Sequence, residues 1–162
     1  MEKSVLKAIP ESEVQANCRA LLESKGCYVE RRNTGTMIIK DEDTGKTRRF
    51  KAGDKGAADL FGMFPCGRHF ELEIKRYGKR PTLEQVRWLR NANRWGHAAF
   101  WVDEVAALER MLPALLAGGR VEYLPDKWSF RVEFELPGGA KHYDRISEAG
   151  GDFDIDVSRV RG

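Results

Sequence analysis

The sequence predicts an α/β fold in which helices flank a mixed β-sheet, followed by a small β-rich extension. Two observations support this prediction. Helix-like and strand-like segments alternate between residues 12 and 117. After Gly119, short strand-like runs separated by Pro and Gly turns replace them. The chain therefore divides into a flexible leader (1–10), a main domain (11–117) and a C-terminal extension of unknown role (118–162).

The composition is typical of a soluble globular protein. The chain has 162 residues, of which 41% are hydrophobic and 33% are charged, and its net charge is +3. Three cysteines, none in a Cys-x-x-Cys pair, indicate free thiols in a reducing cytoplasm. No apolar run approaches the roughly 20 residues of a membrane span, and no apolar signal region opens the chain. We therefore expect a cytoplasmic protein with no membrane partner.

The first predicted helix begins at Ser12 and ends near Lys25. Ser12 and Gln15 fit a capping box, and apolar residues recur at helical spacing after them. Gly26 is a typical C-terminal stop. Glu13 lies in the first turn, where a carboxylate interacts favourably with the helix dipole, so a purely structural role is open to it.

A strand (27–32) and a hairpin (36–40 and 47–50) are predicted next, with a turn at 33–35 between them. Basic residues crowd this region, and two interpretations stay open. The hairpin is either a solvated element, whose charge nearby acidic residues partly offset, or a surface that contacts phosphates. The basic residues are Arg31, Arg32, Lys40, Lys46, Arg48, Arg49 and Lys51.

The stretch from Gly56 to Lys75 forms the centre of the predicted sheet, as two strands joined by a turn at 65–67. In the second strand, three apolar residues alternate with three charged ones, so the two kinds of side chain point to opposite faces. The charged residues are Glu71, Glu73 and Lys75. If Asp59 projects to the same face, the group is a cation site with a lysine beside it. The alternative is a solvated strand face with a Glu–Lys pair.

A basic turn (76–81) leads into a second helix, which Thr82 opens through a capping box with Gln85. Gly96 ends this helix. Residues 97–102 form a nearly continuous apolar strand of the kind that is buried on both sides.

A third helix is predicted from Asp103 to about Leu112, with a turn starting at residue 113. The extension is predicted to contain three short antiparallel strands, at 121–124, 128–136 and 140–145. Residues 148–162 are rich in Gly and Asp and are predicted to be loose.

Histidines and tryptophans give weaker signals. His69, His97 and His142 are scattered along the sequence without a Ser or Cys partner at useful spacing, so no nucleophilic triad is predicted. The four tryptophans are interpreted as core or interface residues rather than as platforms on which bases stack.

Five motifs in a fixed order give the chain a resemblance to a known family. They are the early helix with Glu13, Arg32-Asn33-Thr34-Gly35, Gly56-Ala57-Ala58-Asp59-Leu60, Glu73-Ile74-Lys75 and Thr82-x-x-Gln85-x-x-Trp88-Leu89. With these motifs the chain resembles the small phage and prophage members of the VRR-NUC family, in the PD-(D/E)xK nuclease superfamily. The likeness runs from about Glu11 to Met111 and implies a restriction-endonuclease-like sheet.

One residue departs from the superfamily pattern, because Ala58 stands before Asp59 where the pattern has a proline. That proline shapes a turn and binds nothing, so we expect activity to be retained.

The resemblance implies a metal-dependent endonuclease that hydrolyses phosphodiester bonds in DNA. Asp59 and Glu73 supply hard oxygen ligands, and the backbone carbonyl of Ile74 could add a third. This set suits one or two Mg²⁺ or Mn²⁺ ions per active site. Lys75 can orient the attacking water or offset developing charge. No small-molecule cofactor is expected.

Two further catalytic assignments compete with structural roles. Glu13 is expected to be the helix carboxylate that lies over the site and helps to hold metal, against its role at the helix dipole. Gln85 bonds either Lys75 or a phosphate, or it completes the capping box with Thr82. The two roles compete for a single side chain.

The expected partner is DNA. Small stand-alone members of the family are similar to homodimeric nucleases that cut branched DNA such as Holliday junctions, and a symmetric junction suits a two-fold dimer. Flap or nicking activity is the enzymatic alternative, and a restriction-type, sequence-specific enzyme is neither indicated nor excluded. The alternative from another class is a non-catalytic DNA-binding or structural phage protein that retains the fold. The predicted DNA contacts are Arg31, Arg32, Lys40, Arg48, Arg49, Lys51, Arg76, Lys79 and Arg80.

Overall fold

The structure is a computed structural model that describes residues 2–32, 36–51, 54–135, 141–146 and 153–156. Its helices are α1 (Lys3–Ala8), α2 (Glu11–Ser24), α3 (Leu83–Arg94) and α4 (Val105–Leu116). Its strands are β1 (Tyr28–Arg31), β2 (Thr36–Lys40), β3 (Thr47–Lys51), β4 (Leu60–Met63), β5 (His69–Ile74), β6 (Ala98–Val102), β7 (Arg120–Tyr123), β8 (Phe130–Glu135), β9 (Lys141–Ile146) and β10 (Phe153–Asp156). Within the described part of the chain, every helix is too short or too polar to cross a membrane.

The main sheet is mixed, with the strand order β1-β4-β5-β6. The pairs β1–β4 and β4–β5 are antiparallel, whereas β5 and β6 are parallel. The helices α2 and α4 pack against each other and against the sheet, and α3 packs on β5 and β6. This confirms the predicted α/β class, with a mixed sheet flanked by helices, and it makes β5 a central strand.

Local signals placed α3 and the hairpin correctly. Thr82 is the N-cap of α3, and its capping box with Gln85 is complete. The hairpin β2–β3 pairs in antiparallel register, and β6 is buried along its whole length. The turn predicted at 33–35 lies outside the described residues.

The N-terminal region differs from its prediction. The helix α2 begins at Glu11 with Pro10 as its N-cap, so the capping box expected between Ser12 and Gln15 does not form. Residues 3–8, expected to be a loose leader, form the helix α1. The Arg76 guanidinium donates to the Lys7 carbonyl in the last turn of α1, at 2.9 Å, and so attaches this helix to the end of β5.

The start and end of α4 were also predicted wrongly. Glu104 is the N-cap, whereas the buried carboxylate of Asp103 accepts a hydrogen bond from the Gly78 amide at 2.9 Å. The helix continues through Pro113 to Leu116, where a turn was expected. An interior proline costs roughly 3 kcal/mol, and burial of the apolar face of α4 outweighs that cost.

The C-terminal strands form a second, antiparallel sheet with the order β10-β9-β8-β7. All three predicted strands are present, and β10 lies within a segment that was predicted to be loose. Phe130 and Val132 of β8 belong to the same hydrophobic core as the main sheet. The Trp101 indole donates to the Trp128 carbonyl at 2.8 Å, which ties the extension to β6.

Candidate active site

The charged face of β5 is buried. Glu71 is 4% exposed and Glu73 is 1% exposed, because α3 covers this face of the sheet. The sequence left open whether the face was solvated, and the structure excludes that alternative. Two buried carboxylates on one strand are costly unless charges or hydrogen bonds compensate them.

Asp59 and Glu73 lie opposite each other on adjacent strands. Leu60 pairs with Leu72 in the antiparallel register, so Asp59, the residue before β4, comes opposite Glu73. The Ile74 amide donates to the Asp59 carboxylate at 2.8 Å. The N–H and C=O of a strand residue face the same neighbouring strand, so the Ile74 carbonyl also points toward Asp59. The three proposed metal-ligating groups therefore converge at the end of β5.

The electrostatics of this pair favour a bound cation. Burial raises the pKa of Glu73 to about 7, and the nearby charge of Asp59 adds to the shift, while Lys75 opposes it. Burial also raises the pKa of Asp59, against the Ile74 hydrogen bond and Lys75. A divalent cation between two such carboxylates would replace the solvation that burial removes.

One oxygen of Glu73 is available as a ligand. Glu73 Oε1 lies 2.6 Å from the ammonium of Lys75 and also accepts from the amide of Gln85. Glu73 Oε2 is buried and has no hydrogen-bond partner among the described residues. A buried acceptor without a partner requires an explanation, and a Mg²⁺ or Mn²⁺ ion fits this all-oxygen donor set.

Gln85 completes the capping box and also bonds a residue of the site, although that residue is not the predicted Lys75. Its side-chain oxygen accepts from the Thr82 amide at 2.8 Å and completes the capping box. Its side-chain nitrogen donates to Glu73 rather than to Lys75. The two bonds coexist because an amide has an acceptor end and a donor end.

The helix carboxylate near the site is Glu11, not Glu13. The Glu11 carboxylate accepts from the Arg76 amide at 3.2 Å, and its charge raises the pKa of both Asp59 and Glu73. Glu13 is exposed and lines a separate groove between α1, α2 and the start of α4. Residues two apart on a helix point in different directions, so only one of them faces the site. Glu11 was not predicted, because the expected capping box at Ser12 placed it outside the helix, whereas α2 begins at Glu11.

Substitution of these two glutamates is expected to separate their roles. Glu11→Gln should weaken Mg²⁺ binding by about tenfold, since it removes a negative charge near the ligands. Glu13→Gln is the matched control and should leave the affinity unchanged. Isothermal titration with Mg²⁺ measures both. A larger loss in Glu13→Gln than in Glu11→Gln would contradict the assignment.

Glu71 belongs to a separate, fully bonded cluster. The Arg32 guanidinium binds it through two nitrogens at 2.7 and 3.1 Å, and the Trp88 indole donates to it at 3.2 Å. Burial tends to raise the pKa of Glu71, but the hydrogen bonds from Arg32 and His69 hold it below its ordinary value. Glu71 is therefore ionised and compensated by the protein itself, and it is not a further ligand beside Glu73.

Two histidines join this cluster from distant parts of the sequence. One ligand atom each from His69, Glu71 and His97 lie within 4.8 Å of one another. Two imidazoles and a carboxylate are a possible transition-metal set. However, both Glu71 oxygens already accept hydrogen bonds from Arg32, Trp88 or His69. The bonds observed account for Glu71 and His69 without a metal, whereas His97 Nδ1 is buried and has no hydrogen-bond partner among the described residues.

Several predicted DNA contacts are engaged within the protein. Arg32 binds Glu71, Arg76 donates to the last turn of α1, and the Arg80 guanidinium lies 3.8 Å from the ring centre of Trp128. Of the others, Arg31, Lys40 and Lys79 are exposed. The side chains of Arg48, Arg49 and Lys51 lie outside the described part of the structure.

Comparison with protein-family models, with curated proteins and with solved structures found no match for this chain.

Proposed function

We propose that this chain is a metal-dependent DNA endonuclease of the PD-(D/E)xK superfamily, related to the VRR-NUC family and built on a restriction-endonuclease-like sheet. The observation that carries the proposal is the pairing of the half-buried Asp59 with the buried Glu73 at the end of β5, with the Lys75 ammonium 2.6 Å from Glu73. The mixed sheet between helices supports the fold assignment.

In this proposal the residues of the site have separate roles in hydrolysis. Asp59, Glu73 through its unpartnered oxygen and the Ile74 carbonyl hold Mg²⁺ or Mn²⁺. When bound, that ion activates water and neutralises charge on the phosphate. Lys75 is held by Glu73, so its ammonium is positioned to donate to the attacking water or to a phosphate oxygen. In the reaction, a water oxygen bonds to phosphorus while a phosphorus–oxygen ester bond breaks, and the proton passes to the leaving alcohol.

Branched DNA is the proposed substrate and a homodimer is the proposed active form. Both follow from the family resemblance. Two active sites related by a two-fold axis fit the symmetry of a four-way junction, where paired strands are cut symmetrically.

Lys75→Ala tests the site. We expect it to reduce the rate of junction cleavage by at least about a hundredfold, because it removes a positioned donor from a buried site. Wild type and variant are compared on a synthetic four-way junction and its matched linear duplex, with Mg²⁺, Mn²⁺ or EDTA. Lys55→Ala, which removes an exposed lysine paired with Glu84, is the control and should cut like wild type.

Two results would count against the proposal. If the wild-type protein binds both DNAs but cuts neither with any metal, the non-catalytic DNA-binding alternative replaces it. If Lys75→Ala cuts as fast as wild type, the reacting centre lies elsewhere in the molecule.

A further inference from the structure

The face of α3 that points away from the protein is basic. Arg87, Arg90 and Arg94 are exposed and recur every three or four residues, so they form one stripe along the helix. Among the described residues, none of the three arginines forms an ion pair. The nearby Glu84 is already paired with Lys55 at 2.8 Å. The arginine stripe is therefore a line of positive charge that the protein does not compensate.

The helix α3 connects this stripe to the candidate active site. Gln85 in its first turn donates to Glu73, and the stripe begins two residues later. Arg87 and Arg94 are roughly 10 Å apart along the helix axis, which matches the axial length of about three nucleotides of one DNA strand. Gln85 faces Glu73 beneath the helix, whereas the stripe lies on a different side of it, so a sugar–phosphate backbone can follow the stripe along α3 and pass the end of the helix that carries Gln85.

The far end of α3 presents an exposed aromatic ring. Trp95, the C-cap residue, is 80% exposed, and the left-handed Gly96 turns the chain away after it. The other three tryptophans each donate their indole N–H to a protein acceptor. A large apolar ring in water beside a line of arginines suits stacking on an unpaired base, which such platforms bind without sequence preference.

We propose that the outer face of α3 binds one arm of a branched DNA substrate, with the arginine stripe on phosphates and Trp95 stacked on a base whose face is exposed at the branch point. The inference rests on the proposed function, because it takes Asp59 and Glu73 as the cutting site.

The contribution of the stripe is measured by the salt dependence of binding in EDTA, where no DNA is cut. Arg87→Gln/Arg94→Gln removes two phosphate contacts, so the slope of log affinity against log salt should fall by about two. Arg90 is left in place because its charge acts on the half-buried Tyr123. The matched control is Lys3→Gln/Lys25→Gln, which removes two exposed charges elsewhere and should change the slope little.

The contribution of Trp95 is measured on two DNAs closed by the same hairpin loops, a four-way junction and a linear dumbbell duplex. The branch point is then the main difference between them. Trp95→Ala should bind the junction about tenfold or more weakly, as expected for one lost base stack, and should bind the dumbbell like wild type.

The outcomes separate this inference from the proposed function. If wild type neither binds nor cuts either DNA, both fail. If wild type cuts the junction but the arginine variant keeps the wild-type salt slope, or Trp95→Ala keeps the junction preference, only the α3 surface is overturned. If these variants instead change the sedimentation mass and leave DNA binding intact, α3 is an interface between two copies of the chain and the inference is overturned.

Discussion

Glu73→Gln is expected to abolish cleavage and at the same time to stabilise the metal-free protein. Cleavage should fall by at least about a hundredfold, because the variant loses a metal ligand. Stability should rise because the pKa of Glu73 is raised from its ordinary 4.5 to about 7 in the folded state. A raised carboxyl pKa favours folding at low pH, and this contribution is lost as the pH rises through 7. Above that pH the ionised carboxylate costs about 3 kcal/mol, a cost that glutamine does not have.

Urea unfolding in EDTA at pH 4.5 and pH 8 measures this effect. The variant and the wild type should be equally stable at pH 4.5, and the variant should be more stable by about 3 kcal/mol at pH 8. Glu71→Gln is the matched control on the same strand face. It should be destabilised at pH 8, because it leaves the Arg32 guanidinium without its counter-charge. A Glu73→Gln protein that is less stable than wild type at pH 8 would contradict our account of the site.

Mg²⁺ is expected to raise the melting temperature strongly at pH 8 and little at pH 5. An ion that binds only the folded state contributes about 2.7 kcal/mol when its concentration is a hundredfold above Kd. For a chain of this size that contribution corresponds to a shift of about 5–10 °C. At pH 5, below the pKa of about 7, Glu73 holds a proton where the metal would bind. Protons and metal therefore compete for the same oxygen.

Differential scanning calorimetry with and without Mg²⁺ tests this competition. Asp59→Asn should remove most of the Mg²⁺-dependent shift at pH 8, whereas Glu13→Gln should keep it, because Glu13 lies in a different groove. Equal shifts at pH 5 and pH 8 in the wild-type protein would show that the ion binds away from Glu73.

Local sequence patterns were sufficient for much of the fold. The capping box at Thr82, the apolar run at 98–102 and the alternation in β5 each depend on neighbouring residues, so the corresponding elements were predicted correctly. The errors arose where contacts between residues far apart in the sequence determine the local structure. The start of α4 was misplaced because Asp103 bonds the backbone of Gly78 instead of capping the helix. The helix α1 is attached to the rest of the protein through Arg76, a contact that the sequence does not reveal.

The candidate site was predictable in its residue types but not in its burial. The alternation around Glu73 identified the strand face, and the register of β4 then placed Asp59 opposite it. The carboxylates of Glu71 and Glu73 are buried rather than solvated because α3 packs over them, and this packing depends on the tertiary structure. Glu11 lay outside the predicted helix, yet it is three residues before the buried Val14 and so shares the face of α2 that packs on the sheet, whereas Glu13 does not.

The two hydrogen bonds of the Gln85 side-chain amide have a consequence for the dynamics of the molecule. The same amide closes the first turn of α3 and holds Glu73, so fraying of that turn releases the carboxylate as well. Local opening of the helix end and disassembly of the site are therefore one cooperative event, and the amide hydrogens of Gln85 and Val86 exchange with solvent when it occurs. A ligand that holds Glu73 in place slows that exchange without contacting the helix backbone.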